Sequence, residues 1–174
     1  EISPRDWSSD VCSSDLLSTP GTARWHGYLR AMSLLDPTVD MIELQSQELV
    51  NLVEAGTIDG RDVTDYASDV LKPVHEFGAD TLVLGCTHFP FVIPLIQQIA
   101  GDGVRVIDPA PAIARQTERV LIQRYLLRSS NDQPFHRYLT SGDPTRFSRL
   151  LEQLLGVRAR PERWLWVGNS LRHG

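Results

Sequence analysis

A cysteine, a threonine and a histidine follow one another in the segment LVLGCTHFP, directly after a short apolar run. Cys86 and His88 can exchange protons near neutral pH. The apolar run at residues 81–84 is typical of a strand buried in a parallel sheet, and open α/β sheets bind ligands at the carboxyl ends of such strands. Gly85 permits a tight turn there, and the helix expected from about Pro90 would offer free N–H groups to an anion. The spacing therefore favours a reactive thiol beside an anion-binding turn.

The residues alone leave other interpretations open. A lone cysteine is also a common core residue, and His88 could equally be a hydrogen-bonded surface histidine. One cysteine and one histidine without further ligands at recognisable spacing do not predict a zinc site. Asp108, in VIDPAPA, could approach the same edge of the sheet, although capping of the next helix is the favoured role.

A second candidate anion site lies in the segment LSTPGTARW. The hydroxyls of Thr19 and Thr22 stand in a loop that leads into a helix. Such residues also open many ordinary helices, so the pattern by itself is weak. The TSGDP turn is interpreted as a helix start, capped by Asp143 or Ser141.

The order of elements predicts the scaffold that positions these residues. Hydrophobic periodicity indicates helices at about residues 23–35, 46–56, 61–78, 90–100, 110–128 and 144–156. Strands are expected at about residues 39–44, 81–84, 104–108 and 135–141 and in the RWLWV stretch. The strand–turn–helix–strand unit at residues 81–108 predicts an α/β fold with a parallel sheet.

The first sixteen residues, EISPRDWSSDVCSSDL, fit neither the helical nor the strand period. Residues 6–15 can be back-translated into the end of a common short-read sequencing adapter. We therefore expect residues 1–16 to be an adapter-derived, disordered leader that does not pack on the rest. Outside this leader, Cys86 is the one cysteine of the chain. A lone cysteine suits a reducing cytoplasm.

Charge and composition narrow the function classes. The 174-residue chain has a formal net charge of −5 and is 41% hydrophobic, enough for a packed core. Without the leader, which holds four acids and one base, the charge is −2. A nearly neutral chain gives no electrostatic argument for nucleic acid or an anionic membrane as partner. No apolar run approaches the roughly 20 residues that span a bilayer.

The segments DTLVLGCTHFPFVIPLIQQI and VRVIDPAPAIARQTERVL together resemble bacterial glutamate racemase, of the aspartate/glutamate racemase superfamily. LSTPGT is similar to a threonine-rich loop of that family, and FHRYLTSGDPTRFSRL to its C-terminal strand and helix. The resemblance covers nearly all of residues 17–156. Related aspartate racemases tend to carry glutamate where His88 stands, which favours glutamate as substrate.

The resemblance implies a fold, a reaction and a set of site residues. The family has two α/β lobes with the active site between them, and interconverts L- and D-glutamate without a cofactor or metal. D-glutamate then enters peptidoglycan. By resemblance, Cys86 is one of two catalytic thiols, and His88 assists proton transfer at it. Thr87, His88 and Thr22 are the expected substrate-binding residues. Oligomerisation of the full-length protein stays open.

The chain also departs from the family pattern. The family's other catalytic cysteine, next to Asn-Thr, and its Asp-Ser motif have no counterpart here. Gln45 and Ser46 stand where many members carry a further cysteine and a proline. We therefore expect residues 17–109 to form the second lobe and residues 110–174 to return to an incomplete first lobe, with an exposed apolar face. By itself, this chain is expected to be inactive.

Two other functions remain open from the sequence. The chain could belong to another amino-acid racemase of the superfamily, acting on a different acid. It could also be a catalytically silent α/β binding module, which the missing second cysteine favours.

Overall fold

The computed structural model describes residues 13–128 and 133–174. The chain forms two compact units that divide between Arg119 and Val120. The α/β class predicted from the sequence is confirmed, with a parallel sheet and covering helices in the first unit. The elements before the division are β1 Ser13–Ser18, α1 Pro20–Trp25, α2 Gly27–Leu35, β2 Asp40–Gln45, α3 Glu48–Ala55, α4 Arg61–Phe77, β3 Thr81–Leu84, a 3-10 turn Phe89–Val92, α5 Ile93–Ala100 and β4 Arg105–Ile107.

Four parallel strands make the sheet of the first unit, in the order β2-β1-β3-β4. Strand β1 is paired on both sides: Leu17 is in register with Leu44 of β2 and with Leu84 of β3. Leu16 and Leu17 are fully buried. Their side chains point to opposite faces of the sheet, so both faces are covered, as is usual for parallel sheets.

The prediction that residues 1–16 form a leader apart from the fold is wrong for residues 13–16, which lie in β1. Residues 1–12, including Trp7 and Cys12, lie outside the described residues. Sequence periodicity missed the strand because Ser13, Ser14 and Asp15 have little strand preference. A central position supplies backbone hydrogen bonds on both sides, and these form with any side chain.

Helices supply the remainder of the core. Helix α4 is amphipathic, and Val63, Ala67, Leu71 and Val74 form its buried stripe at the spacing expected of a helix. Pro73 lies within this helix. The helix ends at Phe77, and Gly78 follows it with a left-handed backbone (φ 72°) that suits glycine. Just before helix α3, Ser46 Oγ accepts a hydrogen bond from the backbone N–H of Leu49 at 3.0 Å.

The single helix expected at residues 23–35 is two helices. The chain breaks at His26, which has a left-handed backbone with φ 50°. His26 Nδ1 lies 2.5 Å from Glu43 Oε2 of β2, and the Glu43 side chain is only 6% exposed. This contact fixes the turn between α1 and α2, because it gives a nearly buried carboxylate its partner. Periodicity cannot reveal such a break, since the two residues are 17 positions apart.

Helix α6, Ala110–Gln123, contains the division between the units, and its end at Gln123 falls short of the predicted Arg128. The second unit then holds β5 Leu139–Thr140, α7 Pro144–Leu155, β6 Glu162–Val167 and β7 Ser170–His173. Its sheet has the order β5-β6-β7, with β6 and β7 antiparallel. Asp143 caps α7, as predicted, by accepting a hydrogen bond from Thr145 N at 2.8 Å.

The exposed apolar face expected in residues 110–174 is confirmed for the segments 110–128 and 135–141. Exposed large apolar side chains there are Ile113, Ile122, Leu126, Leu127, Phe135 and Leu139. Across residues 13–128 and 133–174, none of the helices has the length and apolarity that crossing a bilayer requires.

Candidate functional site

Three neighbouring parallel strands, β2, β1 and β3, end at the same edge of the first sheet. Backbone hydrogen bonds hold the three turns that follow them side by side. Gly85 N donates to Leu17 O at 2.8 Å, and Ser46 N donates to Ser18 O at 3.0 Å. The segments that carry Thr22, Ser46 and Cys86 therefore leave the sheet together, at the edge where open α/β sheets bind ligands.

Gly85 lets the turn after β3 lie close to the turn after β1. A Cβ at this position would be 2.9 Å from Leu16 Cδ1, 3.3 Å from Ser18 Cβ and 3.4 Å from Leu17 O. The first distance is shorter than side-chain contacts normally allow. A side chain at position 85 would therefore require the Leu16 side chain or the turn to shift.

Cys86 is a free, partly exposed thiol at this edge, where the sequence predicted it. Its carbonyl accepts a hydrogen bond from Phe89 N, which opens the 3-10 turn Phe89–Val92. Helix α5 begins only after that turn, at Ile93, so the helix expected from about Pro90 starts later than predicted. The thiol consequently sits by the turn rather than at the first α-helical residue.

The thiol has a histidine partner two residues further on. Cys86 Sγ lies 3.7 Å from His88 Nδ1, within range of a sulfur–nitrogen hydrogen bond. The side chain of His88 is about one-third exposed, so solvent and ligands can reach it. One ring nitrogen of His88 thus faces the sulfur, and its other nitrogen is left for a second partner.

That second partner is Glu54, near the end of α3. Its Oε1 lies 2.8 Å from His88 Nε2. A carboxylate at this position accepts the Nε2–H and fixes the ring tautomer, so that Nδ1 can accept the thiol proton. Glu54, His88 and Cys86 therefore form a continuous chain of hydrogen-bond contacts.

Glu54 is not among the residues selected from the sequence. The residue stands 34 positions before His88 on a helix with several acids nearby, and periodicity marks it only as an exposed helical glutamate. Its significance comes from packing, because α3 contacts the 3-10 turn that follows Cys86 and His88. The order of elements could have indicated that Glu54 lies near the site, because it places α3 directly after β2, a strand of the same sheet.

The threonines selected from the sequence occupy two neighbouring turns. Thr22 lies in the first turn of α1, and its Oγ1 is 3.1 Å from Thr19 Oγ1. Thr87 is exposed between Cys86 and His88. The hydroxyls of Thr22 and Thr87 thus stand at the ends of adjacent strands β1 and β3.

Asp108 performs the capping role that was favoured from the sequence. Its Oδ1 accepts a hydrogen bond from Ala110 N at 2.9 Å, at the start of α6. This contact accounts for the conformation of the VIDPAPA segment without a ligand.

Comparisons with known proteins agree with the site and the fold. Residues 16–117 match the family described as Asp/Glu/Hydantoin racemase. Glutamate racemase from Deinococcus radiodurans is 41% identical over 143 residues, covering 80% of this chain and 49% of that protein. Glutamate racemase isoform RacE1 from Bacillus anthracis superposes with a TM-score of 0.82 at 26% identity, over 90% of this chain and 58% of that one.

A further solved structure was determined with ligands bound. Escherichia coli glutamate racemase, in complex with L-glutamate and the activator UDP-MurNAc-ala, superposes with a TM-score of 0.65 at 26% identity. The superposition covers 86% of this chain and 55% of that chain. The chain spans about half the length of the curated relatives it matches.

The matched region contains β2, β3 and the second half of β1, together with Cys86, His88 and Glu54. The resemblance inferred from the GCTH segment is thereby confirmed over more than that segment alone. On the family match, the sequence identity and the shared fold, this chain belongs to the Asp/Glu/Hydantoin racemase family.

Proposed function

We propose that this chain is the part of a glutamate racemase that carries one of its two proton-transfer thiols, Cys86. The observation that carries the proposal is the Glu54–His88–Cys86 chain at the carboxyl edge of the sheet, in a member of this racemase family. The complete enzyme would interconvert L- and D-glutamate without a cofactor, in the cytoplasm. Its D-glutamate would serve peptidoglycan synthesis.

The reaction makes particular demands on the residues around the substrate. The Cα–H of an amino acid is a very weak acid, so a base must be held close to it and the developing charge must be stabilised. Inversion follows most simply when one base removes the proton from one face of Cα and an acid delivers another proton to the opposite face. A thiol suits either role, because thiol and thiolate are both accessible near neutral pH.

In this scheme Cys86 serves one face of Cα. As thiolate it takes the Cα proton, and the S–H bond forms as the Cα–H bond breaks. In the reverse direction the same S–H returns its proton to Cα. His88 Nδ1 generates the thiolate beforehand by holding the thiol proton, and Glu54 stabilises the protonated ring. Each turnover leaves Cys86 as the thiol and the opposing group deprotonated, so proton exchange with solvent, or a turnover in the reverse direction, restores the starting state.

Substrate binding uses the neighbouring turns. We assign Thr22 and Thr87 to the substrate carboxylates, because hydroxyl groups are suitable donors to anions. His88 contributes to binding of the anion through its positive charge while it holds the thiol proton. Thr22 and Thr87 belong to turns that leave adjacent strands. Glutamate was bound by the Escherichia coli relative, which supports an acidic amino acid as the ligand.

The second thiol of the mechanism has no identified counterpart in this chain. We therefore propose that the 174-residue chain alone does not racemise glutamate at a useful rate. Cys86 would still be competent for proton transfer at one face of Cα.

An extended protein tests this function. The portion of the Deinococcus radiodurans relative that precedes the aligned region is fused ahead of Leu16, and interconversion of glutamate is followed by chiral chromatography. We expect racemisation in both directions, and Cys86→Ser should lower kcat by about a hundredfold or more. Ser68→Ala, on the exposed side of α4, is the control that should retain activity.

A folded extended protein that is inactive towards both enantiomers would contradict the proposal. The same preparation tests the nearest alternative, a racemase for another acid. This alternative follows from the family match, because the family includes racemases for more than one substrate. Aspartate and other amino acids are assayed in parallel, and faster turnover of one of them would replace glutamate as the substrate.

A further inference from the structure

Asp15 occupies an unusual place for an acidic residue. It is the third residue of β1, the strand paired on both sides, and it is in register with Ile42 and Leu82. Its side chain is fully buried. Among the described residues, neither carboxylate oxygen has a hydrogen-bond partner. An acidic group therefore lies between aliphatic side chains, without the partners that buried polar groups normally have.

Such a group responds strongly to its protonation state. A buried, unpaired carboxylate is unfavourable, whereas the protonated acid is much easier to accommodate. Burial raises the pKa of Asp15 from its ordinary value of 3.8 to about 6, and a smaller effect of the Ile42 backbone lowers this pKa. The environment thus favours the neutral acid over part of the range in which an exposed aspartate is charged.

Among the residues that the structure describes, the elements packed around β1 supply no compensating cation. In β2, Asp40 is exposed, and Glu43 is in register with Leu16, whose side chain points to the other face from Asp15. Strand β3 contains no charged residue, and Asp80 precedes it. The charged residues of helices α1 to α5 are all exposed: Arg24, Arg30, Glu48, Glu54, Arg61, Asp62, Asp65, Asp69, Lys72, His75 and Glu76.

The remaining titratable side chains nearby are occupied or on the other face. Glu43 pairs with His26, the Tyr66 hydroxyl pairs with Ser46, and Cys86 pairs with His88. The buried residues of α3 and α4, which cover the sheet, are uncharged. When Asp15 ionises, its negative charge therefore lies among aliphatic side chains, and no cation of the described residues compensates it.

We propose that Asp15 makes the stability of the four-stranded unit depend on pH. The free energy of unfolding is highest when this carboxyl is protonated and falls as the carboxyl ionises. The folded chain binds the Asp15 proton more tightly than the unfolded chain does. The stabilisation is therefore fully present below the ordinary value of 3.8 and is lost as the pH rises to about 6. This proposal does not depend on the proposed enzymatic function.

Urea unfolding of the full 174-residue chain, followed by far-UV circular dichroism, tests the proposal. The Asp15→Asn variant has nearly the same shape and no charge at any pH. Between about pH 3.5 and about pH 7.5, the unfolding equilibrium constant of the unmodified chain should rise by roughly a hundredfold more than that of Asp15→Asn. Asp102→Asn, in the exposed turn before β4, should follow the unmodified chain.

Parallel pH profiles for the unmodified chain and Asp15→Asn would overturn the proposal. If Asp15→Asn does not fold, Asp15→Leu replaces it as the pH-insensitive reference. A direct reading comes from the Asp15 carboxyl carbon by NMR in the unmodified chain. A titration midpoint near pH 6 supports the proposal, and a midpoint near the ordinary 3.8 overturns it.

Discussion

The two units of this chain bury their apolar side chains to different extents. Of the buried apolar side chains among the described residues, all but Leu151 belong to the first unit. In the second unit, β6 and β7 leave Leu165, Trp166, Val167 and Leu171 substantially exposed. The first unit has helices against its sheet and a closed core, whereas the second presents apolar surface of the kind that usually marks a contact site. A well-formed core therefore underlies the edge that carries Cys86.

Removal of a core side chain should separate the two units most clearly. Leu82 in β3 is fully buried, whereas Leu165 in β6 is 40% exposed. Leu82→Ala should lower the free energy of unfolding by about 2–5 kcal/mol, through lost burial and a residual cavity. Leu165→Ala should change it by under about 1 kcal/mol. Urea unfolding measures both, and similar losses for the two variants would contradict the difference between the units.

A substitution at the candidate site should have a smaller effect on stability. Gly85→Ala places a Cβ 2.9 Å from Leu16 Cδ1, inside the closed core. We expect a loss of about 1–3 kcal/mol from overpacking. Gly103→Ala is the matched control, because nothing lies within 4 Å of a Cβ there. A thermal denaturation series in which the two glycine variants melt together would show that the β1 and β3 turns are not tightly apposed.

The two units should also respond to acid with opposite sign, and here the effect in the second unit is small. Hydrogen bonds from Arg137 hold the pKa of Glu162 below its ordinary 4.5. The Glu162 contribution is therefore present above pH 4.5 and is lost as the pH falls through the lowered value, whereas acid stabilises the first unit through Asp15.

The Trp164 indole N–H, which lies 3.5 Å from Glu162 Oε2, reports this loss by NMR. Its resonance should shift on acidification in the unmodified chain, and Glu162→Gln should remove most of that shift. Glu118→Gln, an exposed acid on α6, should leave it in place. An unchanged acid response in Glu162→Gln would mean that the Arg137 pair does not govern this unit.

The sequence predicts features that depend on neighbouring residues and misses those that depend on contacts distant in sequence. The strand before Cys86 and the helix α4 follow from local apolar patterns, and the GCTH turn follows from residue type. Strand β1 was not predicted, because Ser13, Ser14 and Asp15 are held in the sheet by their neighbours and have little strand preference of their own. The break at His26 and the role of Glu54 depend on contacts 17 and 34 positions away in sequence. No short-range period records contacts of that kind.

Alkylation of Cys86 tests the proposed Glu54–His88–Cys86 chain most directly. Iodoacetamide is added near neutral pH, and the modified peptide containing Cys86 is quantified by mass spectrometry over time. Because His88 Nδ1 takes up the thiol proton and Glu54 stabilises the charged ring, His88→Asn should slow the reaction several-fold and Glu54→Gln should slow it less. His136→Asn, an exposed histidine of the second unit, should leave the rate unchanged. Equal rates in all four proteins would contradict the account.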